Sequence, residues 1–392
     1  MTYNFDEIID RKNTNSLKYD FAVERGKPED ILPLWVADMD FRVPPAVAEA
    51  LVKSSEHGIF GYSDTKNEYF QTLYNWYLSR FNFEIKKDWL VKTPGVVYAI
   101  STAVRALTKE GDAIIIQQPV YYPFSGSIQA NNRKLINNSL IYKNGSYHMD
   151  LEDFEKKIIE NNVRLFILCS PHNPVGRVWT KEELIDLGDI CVKHNVIVVA
   201  DEIHADFVYK DHKHHVFANL KPEYLDNSII CTAPSKTFNL AGLQVSNIFI
   251  ANKDIRRAFI KEIDRTGYSQ LNTMGLIACQ AAYEYGGEWL EELKEYLSEN
   301  LSFIRSFLAE HLPQIKLVEP EGTYLVWLDC RDLGLSEQEL EELIVNKAKL
   351  WLDGGTMFGK DGENFQRVNI ACPRSILEQA FEQLREALKN ML

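Results

Sequence analysis

Between residues 113 and 250 the chain alternates short, wholly apolar runs with longer segments that are apolar on one side only. The runs 113–116 (AIII), 165–169 (LFILC), 196–200 (VIVVA), 228–231 (SIIC) and 248–250 (IFI) each read as a strand covered on both faces. Helical patterns lie between them. Val97, Ile100, Val104 and Leu107 recur at helical spacing and stop before Gly111. Thr180 and Glu183 have the spacing of a capping box, ahead of a stripe formed by Leu184, Leu187, Ile190 and Cys191. This alternation predicts an α/β fold, a mainly parallel sheet flanked by helices.

From about residue 285 the pattern changes. Leu290, Leu293, Leu297, Leu301, Ile304 and Leu308 predict one long amphipathic helix. A strand-like run at 324–328 (YLVWL) follows, then a helix opened by Ser336 and Glu339. A last helix is opened by Ser375 and Glu378 and carries Leu377, Ala380, Phe381, Leu384 and Leu388. The expected organisation is a large α/β domain over 46–285 and a smaller α+β domain built from 1–45 and 286–392. At 392 residues the chain exceeds the size at which one core stops growing.

Composition narrows the function classes. Hydrophobic residues make up 45% and charged residues 25%, as in a folded soluble chain. With 56 acidic against 43 basic side chains the formal charge is −13, and no basic block stands out, which argues against nucleic acid as a partner. The six cysteines are dispersed and contain no CxxC pair, the pattern of buried thiols in a reducing compartment. The N-terminus lacks the apolar core of a secretory signal, and no stretch has the roughly 18–20 apolar residues of a membrane span. The expectation is a cytoplasmic protein with no membrane partner.

In open α/β sheets ligands bind at the carboxyl ends of strands, and several polar residues fall there. Lys236 leaves the strand at 228–231, hemmed by apolar neighbours; it is either a plain surface lysine or an amine that desolvation keeps neutral for attack on an aldehyde. Asp201 ends another strand, where a carboxylate could keep a ring nitrogen protonated or simply cap a helix. His204 lies three residues on, but DEIHAD (201–206) is not a zinc motif, so no metal is expected. Asn173, in a turn-rich exit (CSPHNPVG, 169–176), is either a plain loop residue or an amide that donates to a ligand. Gly95 leads into a helix whose first amides, at Val96 and Val97, form a candidate anion site. Tyr121 could stack on a flat cofactor or serve the core. The cluster His212 to His215 sits in a charged, turn-like segment and reads as solvated surface.

Taken in order, a phosphate turn, an aromatic, Asn-Pro, Asp, Ser-Lys and a late Arg resemble the fold-type I pyridoxal-phosphate enzymes, the aminotransferase class I/II superfamily, over nearly the whole chain. WVADMDF (35–41), DEIH (201–204) and APSKTFNLAGLQ (233–244) resemble its MalY/PatB branch of cystathionine and cysteine-S-conjugate β-lyases. The resemblance implies a large domain of the aspartate-aminotransferase type and pyridoxal 5′-phosphate held as a Schiff base on Lys236, which later moves the Cα proton. It further implies that Asp201 pairs with the pyridine nitrogen, Asn173 with the 3′ oxygen, and that Tyr121 stacks on the ring. Val96, Val97 and Ser235 would hold the phosphate, and His204 would stand where aminotransferases have Tyr. Tyr62 would reach the neighbouring subunit's phosphate, implying a homodimer with shared active sites, and Arg367 would grip the carboxylate of a small amino-acid substrate. Gln244 stands where aminotransferases have an Arg against the phosphate; both departures are usual in the β-lyase branch. The implied reaction is β-elimination from cystathionine or a related S-conjugate, with an aminotransferase on the same fold as the alternative.

Overall fold

A computed structural model describes residues 2–389. Seven strands form the central sheet: β1 (Leu90–Thr93), β2 (Ala113–Ile116), β3 (Lys134–Asn137), β4 (Leu165–Cys169), β5 (Ile197–Asp201), β6 (Ser228–Thr232) and β7 (Ser246–Phe249). Their order is β1-β7-β6-β5-β4-β2-β3. The five from β6 to β3 are parallel, whereas β7 runs antiparallel to both β6 and β1. All five strands expected from apolar runs are present, with ends displaced by one or two residues. The two that the pattern does not announce, β1 (LVKT) and β3 (KLIN), are the sheet's edges and only partly buried. An edge strand needs fewer apolar side chains, so its sequence is mixed.

Successive side chains of a strand point to opposite faces, and here both faces are dry. Ile114 and Ile116 join Ile100, Val104 and Phe259 on one side. Ile115, Phe166 and Val198 face the other, against Leu184, Leu187 and Cys279. That is why the strands show no polar alternation. The helix Val96–Leu107 follows the expected range, but its buried stripe is Val96, Ala99, Ile100, Ala103 and Val104. Val97 is exposed to 38%, so it lies off the core face. The Thr180–Glu183 capping box forms as expected.

The C-terminal part opens with a 25-residue helix, Gly287–His311. A four-stranded antiparallel sheet follows: β8 (Lys316–Val318), β9 (Leu325–Asp329), β10 (Asp353–Gly354) and β11 (Phe365–Asn369), in the order β8-β9-β11-β10. Ser336 and Glu339 form the expected box, but the helix they open, Glu337–Glu341, passes into π turns over Glu342–Lys347. Ser375 does not cap the last helix. That helix, Arg374–Lys389, already includes it, and the Ile376 amide donates to Pro373 O. The N-terminal segment runs along this part of the molecule: Leu32–Pro33 pairs in parallel with Leu350–Trp351, and Phe5 packs edge-on against Trp289. All six cysteines are free and buried. No described helix is long and apolar enough to cross a membrane.

Candidate active site

The strands β1, β2, β4, β5 and β6 share one direction, so the chain leaves all five at the same end of the sheet. Five loops therefore converge there. After β1 comes Gly95, the cap of the helix that starts at Val96. The exit from β2 carries Tyr121, that from β4 Asn173, and β5 ends on Asp201. A short helix after β6, Pro234–Thr237, presents Ser235 and Lys236. Val96, Val97, Tyr121, Asn173, Asp201, His204, Ser235 and Lys236 line one cavity of about 160 Å³, with Ala37, Ile203 and Gln244 also on its wall.

The cavity is electrostatically unusual. The Lys236 Nζ donates to Ala37 O at 2.8 Å. Burial, reinforced by the Arg367 charge, pulls its ammonium down to about 8, against the opposing pull of Asp38 and Asp201. Burial also pushes the Asp201 carboxyl up to about 7, although its Oδ1 accepts from the Ile203 amide at 3.1 Å and Lys236 favours the anion. The same burial, together with Lys236 and Arg367, keeps the His204 imidazole neutral; its Nδ1 is buried without a hydrogen-bond partner. Tyr121 is likewise held as the neutral phenol, chiefly by burial.

Arg367 approaches from β11. Its cross-strand neighbour on β10 is Asp353, and both side chains are buried. The guanidinium Nη2 donates to the Asp353 carboxylate and to Trp35 O (2.9 Å), and Nη1 donates to Asn173 Oδ1 at 3.1 Å. Nε is buried and unpartnered. The ring of Phe358 lies 4.8 Å from the guanidinium carbon. One side chain thus ties the second sheet to the cavity at the end of the first.

Tyr62 is not part of this cavity within one chain. It is 98% exposed, beside the exposed Ile59 and Phe60 in the irregular stretch 58–66. The His212 to His215 cluster is not all solvated. His214 is buried, and its Nε2 lies 2.9 Å from the equally buried Glu202 Oε2; a carboxylate twelve residues upstream turns this one ring inward. The residues that sequence reasoning missed are Ala37, Asp353 and Tyr324, whose hydroxyl donates to Ala37 O at 2.9 Å. The segment 35–41 carried the only signal, as part of the family resemblance.

The chemistry of this donor set fits pyridoxal phosphate. A phosphate suits the uncapped amides at Val96 and Val97, since no side chain caps that helix. A ring nitrogen suits a buried acid that can carry a negative charge beside it. The amine of Lys236 suits the aldehyde, and the unpartnered Nε of Arg367 suits a substrate carboxylate.

Residues 29–384 match the model of the family described as aminotransferase class I and II. The chain belongs to that family. It is 42% identical to cystathionine beta-lyase PatB of Bacillus subtilis (strain 168), over 98% of this chain and all of that protein. Identity to Protein MalY of Escherichia coli (strain K12) is 32%, over 99% of each. The crystal structure of cystalysin from Treponema denticola, which contains a pyridoxal 5′-phosphate cofactor, superposes with a TM-score of 0.96 at 40% identity and covers both chains fully. These likenesses set the chain in the MalY/PatB-like branch of the fold-type I superfamily, with pyridoxal 5′-phosphate as its cofactor. The fold is accordingly the aspartate-aminotransferase type, a large α/β domain with a smaller one.

Proposed function

We propose that this protein is a carbon–sulfur β-lyase, which cleaves the Cβ–S bond of cystathionine or a related cysteine S-conjugate and, with one water for the final hydrolysis, gives a thiol, pyruvate and ammonia. The observation that carries the reading is one cavity that holds the Lys236 amine, made less basic by burial, with the Asp201 carboxyl. When bound there, the cofactor supplies an electron sink for the pair left when the Cα–H bond breaks.

The chain's own residues do the rest. Lys236 would tether the cofactor and, when its amine is free, would take the Cα proton on Nζ, a role worth roughly 10²–10⁴-fold in rate. Asp201 would pair with the ring nitrogen and hold its proton, and Asn173 would donate to the ring oxygen, with His204 on the same cavity wall. Tyr121 would stack on the ring. The amides of Val96 and Val97 and the hydroxyl of Ser235 would hold the phosphate. Gln244, a neutral side chain on this wall, leaves the phosphate charge to those donors. Arg367 would meet the α-carboxylate with its unpartnered Nε–H, its guanidinium held by Asn173, Trp35 O and Asp353. With the leaving sulfur on Cβ, proton removal at Cα leads to elimination.

The exposed stretch Ile59 to Tyr62 supports a homodimer in which Tyr62 reaches the partner's phosphate site; apolar side chains exposed in a row mark an interface. The same reading divides the chain into a large domain, 46–285, and a small one, 1–45 with 286–392. The six free thiols suit the cytoplasm. The test is incubation of the purified holoenzyme with cystathionine and no 2-oxo acid. Catalytic release of pyruvate is the expected result. An absolute requirement for a 2-oxo acid acceptor would instead make the protein an aminotransferase, the reading that the family's breadth favours.

A further inference from the structure

The backbone at 35–39 is held in an uncommon way. Each of its five carbonyls accepts a hydrogen bond from a side chain remote in sequence. Trp35 O accepts from Arg367 Nη2, Val36 O and Asp38 O from Asn369 Nδ2 (2.6 Å each), and Met39 O from Asn239 Nδ2 (3.0 Å). Ala37 O, in the middle, takes two donors: Lys236 Nζ at 2.8 Å and Tyr324 Oη at 2.9 Å.

Tyr324 is built to make this contact. Its relative exposure is 0%, and its ring stands edge-on to Phe207, at 4.9 Å, and to His204. The residue before it, Thr323, has φ +68°, a left-handed conformation that a β-branched residue adopts at a cost of about 1–3 kcal/mol. The surroundings enforce it. The Thr323 amide donates to Phe207 O at 2.8 Å, and its hydroxyl accepts from the Leu325 amide at 3.1 Å. At Gly322 a Cβ would meet Phe207 O at 2.7 Å. Strain of this kind persists at positions where a side chain must point one way, and here that side chain ends on the acceptor of the reactive lysine.

We infer that Tyr324 is a positioning residue for Lys236: its hydroxyl fixes the Ala37 carbonyl at which the lysine docks whenever Nζ is not bonded to the cofactor. This rests on the proposed function. When the Cα–H bond breaks, the proton passes to the Nζ lone pair while the bound cofactor would take the electron pair, and the new ammonium has an acceptor at Ala37 O. The hydroxyl also limits that acceptor. Two donors share one oxygen, so the carbonyl stabilises an ammonium less than it would alone, which favours the neutral amine. The other charged or titratable groups facing Nζ are Asp38, Asp201, Arg367 and His204.

The experiment uses Tyr324→Phe, which keeps the ring and leaves Lys236 to satisfy the carbonyl. The holoenzyme is stripped of cofactor and reloaded with pyridoxal phosphate, and the growth of the lysine-bound absorbance is followed against pH. Solvent-deuterium exchange at Cα of L-alanine is measured on the reloaded protein. Reloading near pH 7 is expected to slow by about five-fold, the factor carried by one hydrogen bond, with the deficit closing as pH rises. Cα exchange is expected to slow by a similar factor while the KM for the amino acid stays within about two-fold. Phe207→Leu loosens the same packing without touching the hydroxyl, and is expected to lower the melting temperature but leave both rates alone. Wild-type rates in Tyr324→Phe would overturn the inference, as would the same two deficits in Phe207→Leu. A wild-type protein that reloads and exchanges but does not cleave cystathionine refutes the lyase reading alone.

Discussion

A buried carboxyl that is costly to ionise is a liability in an empty site and an asset in a loaded one. Asp201 is such a group, pushed up to about 7 mainly by burial, against about 3.9 for an exposed aspartate. Between about pH 4 and pH 7 the unfolded chain has lost a proton that the folded, cofactor-free chain keeps. Stability contributed by this residue therefore falls as pH rises through that window. At about 1.4 kcal/mol per unit the loss amounts to a few kcal/mol. Asp201→Asn can still accept from the Ile203 amide, so the cofactor-free variant is expected to melt above cofactor-free wild type at pH 8, with the two curves meeting near pH 4. Adding pyridoxal phosphate should reverse the order, because only the carboxylate balances a protonated ring nitrogen. Calorimetry with and without cofactor checks both halves, and an Asn variant that the cofactor stabilises as much as wild type would remove Asp201 from its proposed role.

At the scale of elements, the strap at 35–39 depends on side chains far from it in sequence. Asn369 is fully buried and makes three hydrogen bonds, to Val36 O, to Asp38 O and from the Ala371 amide. Asn369→Ala is expected to cost about 3 kcal/mol, read as a lowered denaturant midpoint, and to raise the KM for substrate, since Trp35 O next along the strap anchors Arg367. A variant within about 0.5 kcal/mol of wild type would mean that the strap is held by other means. This element also marks the limit of what the sequence carries. Lys236, Asp201 and Asn173 were legible because each follows an apolar strand, and strand exits on one edge of a parallel sheet must meet. Backbone acceptors have no residue signature, and Ala37 meets Lys236 and Tyr324 across 199 and 287 positions. No local pattern encodes such separations. The edge strands β1 and β3 escaped for a related reason, their partly polar faces resembling loops. His214 was misread because its neighbours are charged while its partner, Glu202, sits on another segment.

For the whole molecule, the site combines three stretches of the chain. The parallel sheet supplies the cavity's Asn173, Asp201 and Lys236, the C-terminal sheet brings Arg367 and Asp353 up to Asn173, and the N-terminal segment adds the wall at Ala37. One proposed contributor is left over. Tyr62 points to solvent at 98% exposure, with Ile59 and Phe60 beside it, the surface that the proposed dimer would cover. A shared site has a distinctive consequence in a twofold dimer. Lys236→Ala and Tyr62→Ala each damage both sites when the variant pairs with itself. In a mixed dimer both lesions fall in one site, and the other combines an intact Lys236 with an intact Tyr62. Co-refolding equal amounts of the two variants is therefore expected to restore about a quarter of wild-type lyase activity, since about half of the dimers are mixed and half of their sites intact. Sedimentation of the Phe60→Glu variant gives the matching structural reading, a shift towards monomer with loss of turnover. If the mixed sample is no more active than the two variants measured separately, each chain completes its own site and Tyr62 has no part in its partner's.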